Sequence, residues 1–303
     1  MAFFLNTIMG SLVPMCVTAM VTLAITLIFR TSFTTNFAQG VISAFGAYVA
    51  SSVVMKAGLP IYAAIPIAMV VAMVLASFID VGIFRRGRYV NAVGKQIITM
   101  GLISVLAGAM PLIFGIQQFT IDPFVMGNLT ADVGDAIPVT VTINSLICTA
   151  ITVVLVVVIF VLLRFSKWGL SVRATASNEY VAGMMGINTH VVTAVSWGIA
   201  GALGALAAVM NATLGRAVSA YFMTDFQVTA FLAGILGGFS TFHGPVICAL
   251  LIPLVNNIII YLFNVTGHSD LTGWSMVVVY AISLVIIFFK PQGIFGKKIA
   301  KKV

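Results

Sequence analysis

The sequence predicts an all-α, polytopic bundle of membrane-spanning helices, and three observations predict it. Of 303 residues, 61% are hydrophobic and only 7% are charged. A soluble domain carries about 25% charged residues, so this chain could not wet a water-facing surface of ordinary size. The apolar residues also gather into runs of about 20, the length a helix needs to cross about 30 Å of hydrocarbon. These features exclude a soluble enzyme and a disordered chain. They leave no room for a sizeable water-exposed domain, so residues 1–303 are read as one transmembrane unit.

Charges and Gly, Pro and Asn clusters divide the runs into about nine spans, within a range of eight to ten. They fall near 5–29, 37–56, 60–83, 97–115, 140–163, 190–211, 226–240, 245–263 and 272–289. The N-terminal Met1–Gly10, within which the first span begins, has no basic n-region, so that span is read as retained and not as a cleaved signal. Spans three and four are separated by Arg85, Arg86, Arg88 and Lys95, and spans five and six by Arg164, Lys167 and Arg173. After span nine come Lys290, Lys297, Lys298, Lys301 and Lys302. Basic loops stay on the cytoplasmic side, so these three segments are expected inside. The loop 116–139 carries Asp122, Asp132 and Asp135 without Lys or Arg, and 264–271 carries His268 and Asp270; both are expected outside. The seventh span, 226–240, is too short to cross straight. Broken backbone is tolerated where protein surrounds it, and only a crossing there keeps the Lys-rich tail inside. The scheme puts the N-terminus outside and the C-terminus in the cytoplasm, with Lys56 and Arg216 on the outer side.

The net charge of +8 is read as positive-inside topology and contact with anionic lipid, not as nucleic-acid binding. Cys16, Cys148 and Cys248 are far apart, each in an apolar run, and have no metal-ligand spacing. The histidines lie on three separate segments, and no nucleophile or metalloprotease motif occurs. Gly87 to Gln96 has six residues between its glycines and ends in Gln, so it reads as a basic turn into span four and not as a phosphate loop. Asp80, near the end of span three, reads as a partner for Arg85 or Arg86. The chain is therefore expected to have no catalytic site, no metal and no cofactor of its own.

Two places carry functional expectations. In the first, Asn36 and Gln39 precede a helical face of small residues that includes Ser43 and Ala47. Small faces let membrane helices approach closely, which is one reading. The other is a substrate path lined by neutral polar groups that hydrogen-bond a zwitterion without trapping it. The second place is the loop 164–189. Asn178 is suited to cap a short helix over 179–185, with Glu179 at its positive end and Gly186 as the stop. That helix would expose Tyr180, Val181, Met184 and Met185, either to a docking partner or to the membrane surface.

Four blocks extend this reading. Arg173–Asn188 resembles the cytoplasmic loop of permease subunits of branched-chain amino-acid ABC transporters. Asn36-Phe37-Ala38-Gln39-Gly40, followed by Gly46-Ala47-Tyr48, resembles a second block of that family. Gly237–Pro245 is similar to its glycine-rich turn, with Ser240 where a glycine is usual. Phe289–Gly296 is similar to its Phe-Arg-Pro-Gln-Gly-Leu-Phe-Gly ending. The resemblance implies a pathway formed with a second permease subunit, two cytoplasmic ATP-binding subunits that use the ATP, and an external substrate-binding protein. It implies a bacterial or archaeal cytoplasmic membrane. It assigns the coupling role to Arg173 through Gly186, where Arg173, Asn178, Glu179, Gly183, Met184 and Gly186 are the expected contacts. Urea, short amides or nucleosides are alternative cargoes for such a permease, and a stand-alone channel is the alternative outside it.

Overall fold

The protein is described by a computed structural model covering residues 2–87, 90–132 and 138–296. Arg88, Asp135, Lys297, Lys298, Lys301 and Lys302, used above for topology, lie outside the described residues. Among the described residues, eight helical segments are long and apolar enough to cross a membrane. The first comprises α1 (Ala2–Gly10) and α2 (Leu12–Ser32), broken at Ser11, whose hydroxyl donates to the Ile8 carbonyl at 2.6 Å. Then come α3 (Gln39–Ala57) and α4 (Ile61–Ile79), which runs into a π-helical stretch over Asp80–Phe84. Next is α5 (Ala92–Phe114), capped by Asn91, whose side chain accepts from the Gly94 amide at 2.7 Å. Gly94, Lys95 and Gln96 are thus the first turn of a helix.

Two short antiparallel strands follow, β1 (Asn128–Ala131) and β2 (Val139–Thr142), with Asn128 opposite Thr142 and Ala131 opposite Val139. The sequence reading had no strands in this loop. After them come α6 (Ile143–Phe165), α7 (Lys167–Ser177), α8 (Glu179–Met184) and α9 (Thr189–Ala212). The chain ends with α10 (Thr224–Gly237), α11 (His243–Val265), a 3₁₀ turn over Ser269–Trp274 and α12 (Ser275–Phe289).

Contacts sort the helix ends into two sets. At one end, the Asn6 side chain donates to Pro138 and accepts from the Thr140 amide, and the Asn144 amide donates to Thr213. Lys56 donates to the Phe114 carbonyl there, and Phe3 and Phe4 pack on Tyr261. At the opposite end, Arg30 donates to the Phe239 and Ser240 carbonyls, and the Ile294 amide donates to Leu236 at 2.7 Å. There too Thr193 donates to Asp80. Among the described residues, the chain passes between these ends nine times: the eight long segments and one short pass. The short pass is α10, whose 14 residues span about 21 Å, less than the hydrocarbon thickness. Its start is tied to the first end, where the Asn211 amide donates to Met223 Sδ at 3.4 Å. Its last turn is tied to the second by the Leu236–Ile294 bond.

The core lies where small residues let backbones meet. On α4, Ala64, Ala68, Ala72 and Ala76 recur every four residues and are all buried. This stripe faces α9: a Cβ placed on Gly201 would stand 2.7 Å from Ala76 Cβ and collide with the Ala72 carbonyl. Lipid tails are as apolar as leucine, so close van der Waals packing of this kind, and not exclusion from water, holds membrane helices together. The first span and α9 are the most enclosed, with 78% and 72% of their apolar windows buried, against 17% for the last. The first span and α9 therefore form the centre, while α5, α6 and the last span present broad apolar faces to their surroundings.

A second close contact joins two glycine-rich segments. Gly238 (φ +81°) ends α10 and Gly293 (φ +83°) follows α12, both in the left-handed region that favours glycine. A Cβ on Gly293 would lie 2.5 Å from the Gly238 nitrogen, and one on Gly238 2.7 Å from the Gln292 carbonyl. The turn and the ending thus lie backbone against backbone.

Candidate functional site

Asn36, Gln39, Ser43 and Ala47 are fully buried at the irregular start of α3. The Asn36 amide donates to Gln39 Oε1 at 3.2 Å, and its oxygen accepts from the Ala38 amide at 3.0 Å. Gln39 Nε2 donates to the Ala200 carbonyl at 3.0 Å, halfway along α9, and the Ser43 hydroxyl donates to the Gln39 carbonyl at 2.7 Å. The break between α2 and α3 therefore reaches deep into the bundle, where exposed backbone would be costly.

The sequence reading missed the residue that completes this network. Gln227, in the first turn of α10, accepts from the Gly40 amide through Oε1 and donates to the Phe37 carbonyl through Nε2 at 2.6 Å. It thus caps α3 from another helix, serving one of the first-turn N–H groups that no helix can satisfy internally. The signal was available: a lone glutamine inside an otherwise apolar run has to find a hydrogen-bonding partner.

The loop 164–189 is more ordered than its composition suggested. Helix α7 was not anticipated. Ser166 caps it, accepting from the Gly169 amide at 2.9 Å, and Val172 and Thr175 are buried beneath it. Arg173, exposed on α7, donates to the Arg164 carbonyl at 3.3 Å. Helix α8 covers Glu179–Met184, against 179–185 read from the sequence. Asn178 accepts from the Val181 amide at 3.1 Å. Gly186 has φ +85°, and the Ile187 amide closes back on Ala182. Only Ala182 of α8 is buried; Tyr180, Val181, Met184 and Met185 face outward, and a Cβ on Gly183 would meet no atom of this chain within 4 Å.

Glu179, by contrast, is half-buried and lines a cleft of about 160 Å³ at this end of the bundle. The other walls are Ser32 and Thr34 from the end of α2 and the break, Asp80, Phe84 and Arg85 from the π-helical stretch and its exit, Lys95 from α5, and His190 and Thr193 from α9. Asp80 is 5% exposed and accepts from Thr193 at 3.3 Å. The cleft thus opens directly below the Asn36–Gln39 break. Among the described residues, no group of three His, Cys, Asp or Glu side chains could hold a metal ion.

Among the described residues, nine passes and a buried polar break between two of them define a multi-pass helical membrane protein, with the short helix α8 exposed at one end. The family described as the permease component of branched-chain amino-acid transport systems matches residues 7–287, and this chain belongs to it. The high-affinity branched-chain amino acid transport system permease protein LivH of Escherichia coli is 24% identical over 218 residues, 71% of this chain and 65% of that one. The chain thus matches just under two thirds of the length of that relative. The probable branched-chain amino acid transport permease protein LivH of Methanocaldococcus jannaschii is 23% identical, covering 86% of this chain and 82% of its own. The permease protein BraD of Pseudomonas aeruginosa, named for the same kind of high-affinity system, is 22% identical, covering 88% and 87%. No solved structure shows a significant match to this chain.

Proposed function

We propose that this chain is the permease subunit of an ATP-driven importer of branched-chain or other hydrophobic amino acids. It forms the translocation pathway with a second permease subunit, receives substrate from an external binding protein, and is driven by two cytoplasmic ATP-binding subunits. The observation that carries the reading is α8. A capped, stopped helix with an outward apolar face, in a chain of this family, fits the cleft of a partner. A stand-alone channel has no use for it.

The end bearing α8 is the cytoplasmic one. Arg85, Arg86, Lys95, Arg164, Lys167, Arg173 and Lys290 gather there, against Lys56 and Arg216 at the other. The N-terminus then lies outside and the last helix ends in the cytoplasm. ATP is bound and hydrolysed by the partners and not by this chain, which supplies no metal or cofactor site to the cycle. Within α7 and α8, Arg173, Asn178, Glu179, Gly183, Met184 and Gly186 shape the docking element: Asn178 and Gly186 fix its ends, Gly183 and Met184 meet the partner, and Glu179 ties it to the bundle. Asn36, Gln39, Ser43 and Ala47 border the path.

Gly183→Trp tests the reading. A Cβ there meets no atom beyond its own helix within 4 Å, and Gly183 faces outward, so the variant should insert and fold like the parent. In a co-expressed complex it should lose its ATP-binding subunits on purification, and leucine uptake with them. A Gly183→Trp complex that keeps both its ATP-binding subunits and its uptake would show that α8 lies on the membrane and docks nothing.

A further inference from the structure

The cleft beneath the α2–α3 break has walls of mixed chemistry. Its walls carry both signs of charge: Asp80 and Glu179 on one hand, Arg85 and Lys95 on the other. Asp80 and Thr34 form a buried floor, Arg85 stands exposed at the rim, and Phe84 is buried in the wall. Buried or half-buried charges are kept where they are paired or used, because stripping them of water is costly. A bare anion meets the two carboxylates, and a bare cation meets the arginine and the lysine. The carboxylates do not converge with His190 as metal ligands do. A small solute carrying a carboxylate and an ammonium on the same carbon satisfies both sets at once. A space of this size holds several waters or one such solute in their place.

We propose that the cleft is the last station of a zwitterionic α-amino acid before release. Arg85 and Lys95 take its carboxylate, and Asp80 and Glu179 take its ammonium. This rests on the importer reading above and adds to it a site, a ligand head group and a link to docking. Glu179 is the first residue of α8, so any movement of that helix shifts one wall of the site. The oppositely charged walls partly satisfy each other when the cleft is empty. The ligand therefore gains little net energy, and the station is weak enough to leave, as conduction requires.

The test is protection of a cysteine placed in the cleft. Ser32→Cys, half-buried in the wall, is reacted with a small water-soluble thiol reagent in the assembled complex, applied from the cytoplasmic side. The parent chain gives the background, since Cys16, Cys148 and Cys248 are buried. L-leucine at about twice its dissociation constant should slow labelling about threefold, because only the unliganded fraction reacts. Leucinamide and 4-methylpentanoate, each with one of the two charges, should protect far less. Asp80→Asn and, separately, the exposed Arg85→Gln should abolish protection by leucine. Equal protection by the single-charge analogues, or by glycerophosphoethanolamine as a lipid-headgroup mimic, would overturn the proposal. ATP-driven leucine uptake is measured on the same complexes. Uptake without protection removes the station and leaves the importer. Protection without ATP-driven uptake keeps the station and removes the importer.

Discussion

Replacing Gln227 by leucine should destabilise the folded chain without removing any apolar contact. Leucine is close in size but cannot reproduce the amide, so the Gly40 N–H and the Phe37 carbonyl both lose their partner. Gly40 is buried and the gap offers it no other acceptor, whereas Phe37 is only half-buried. A buried group left unpaired costs about 1–3 kcal/mol in soluble proteins. Side-chain hydrogen bonds in a membrane bundle average nearer 0.6 kcal/mol, because the unfolded reference also finds partners. The expected loss for both groups is therefore about 1–4 kcal/mol, with the buried N–H as the larger share. Reversible unfolding in mixed detergent and SDS micelles reads this directly. Gln227→Glu separates the two bonds: the carboxylate can still accept from Gly40 but has no donor for Phe37, and it sets a charge beside a carbonyl. It should be at least as damaging as leucine. A Gln227→Leu protein as stable as the parent within about 0.3 kcal/mol, well below one average bond, would refute the idea that α10 caps α3.

Gly201→Leu should cost about 3 kcal/mol or more, since its branch must displace the Ala72 and Ala76 backbone region, while Gly183→Leu in open space serves as the neutral control; folded yield and thermal melting in detergent compare them. Replacing both Asn36 and Gln39 by leucine should slow leucine uptake while the ATP-binding subunits still co-purify, and unchanged uptake would exclude a role for them in the path. For orientation, Asp132→Cys should react with an impermeant thiol reagent added to intact cells, and Lys290→Cys only after permeabilisation; the reverse pattern would invert the whole scheme.

The number and order of the passes were legible because hydropathy and charge report on the surrounding solvent, and solvent acts on each segment separately. Even the shortness of α10 could be read from its run of apolar residues. What stayed hidden depends on which segments meet. The small-residue face after Gln39 was visible, but the equally regular Ala64, Ala68, Ala72 and Ala76 stripe matters only because Gly201 lies opposite it. Asn178 and Gly186 announced α8, since caps and stops are local chemistry. Helix α7 has a cap of the same kind at Ser166, but its weak apolar pattern, Val172 and Thr175 inward, does not stand out in a basic loop. The cleft draws its walls from five separate segments, and Gln227 acts on a backbone more than 180 positions away. Neither follows from residue spacing along one stretch.

The meeting of Gly238 with Gly293 sets an order on biogenesis. The hairpin of α10 and α11 enters the membrane while the residues that will cover its turn have yet to be synthesised. Until residue 296 has been made, the left-handed turn at Gly238 lacks the Ile294 bond to Leu236 and the backbone that packs on it. The last pass therefore works as a latch, closed only when translation has gone beyond it. A chain interrupted between α11 and α12 would keep its earlier helices yet hold an unfastened turn at the end that bears α8.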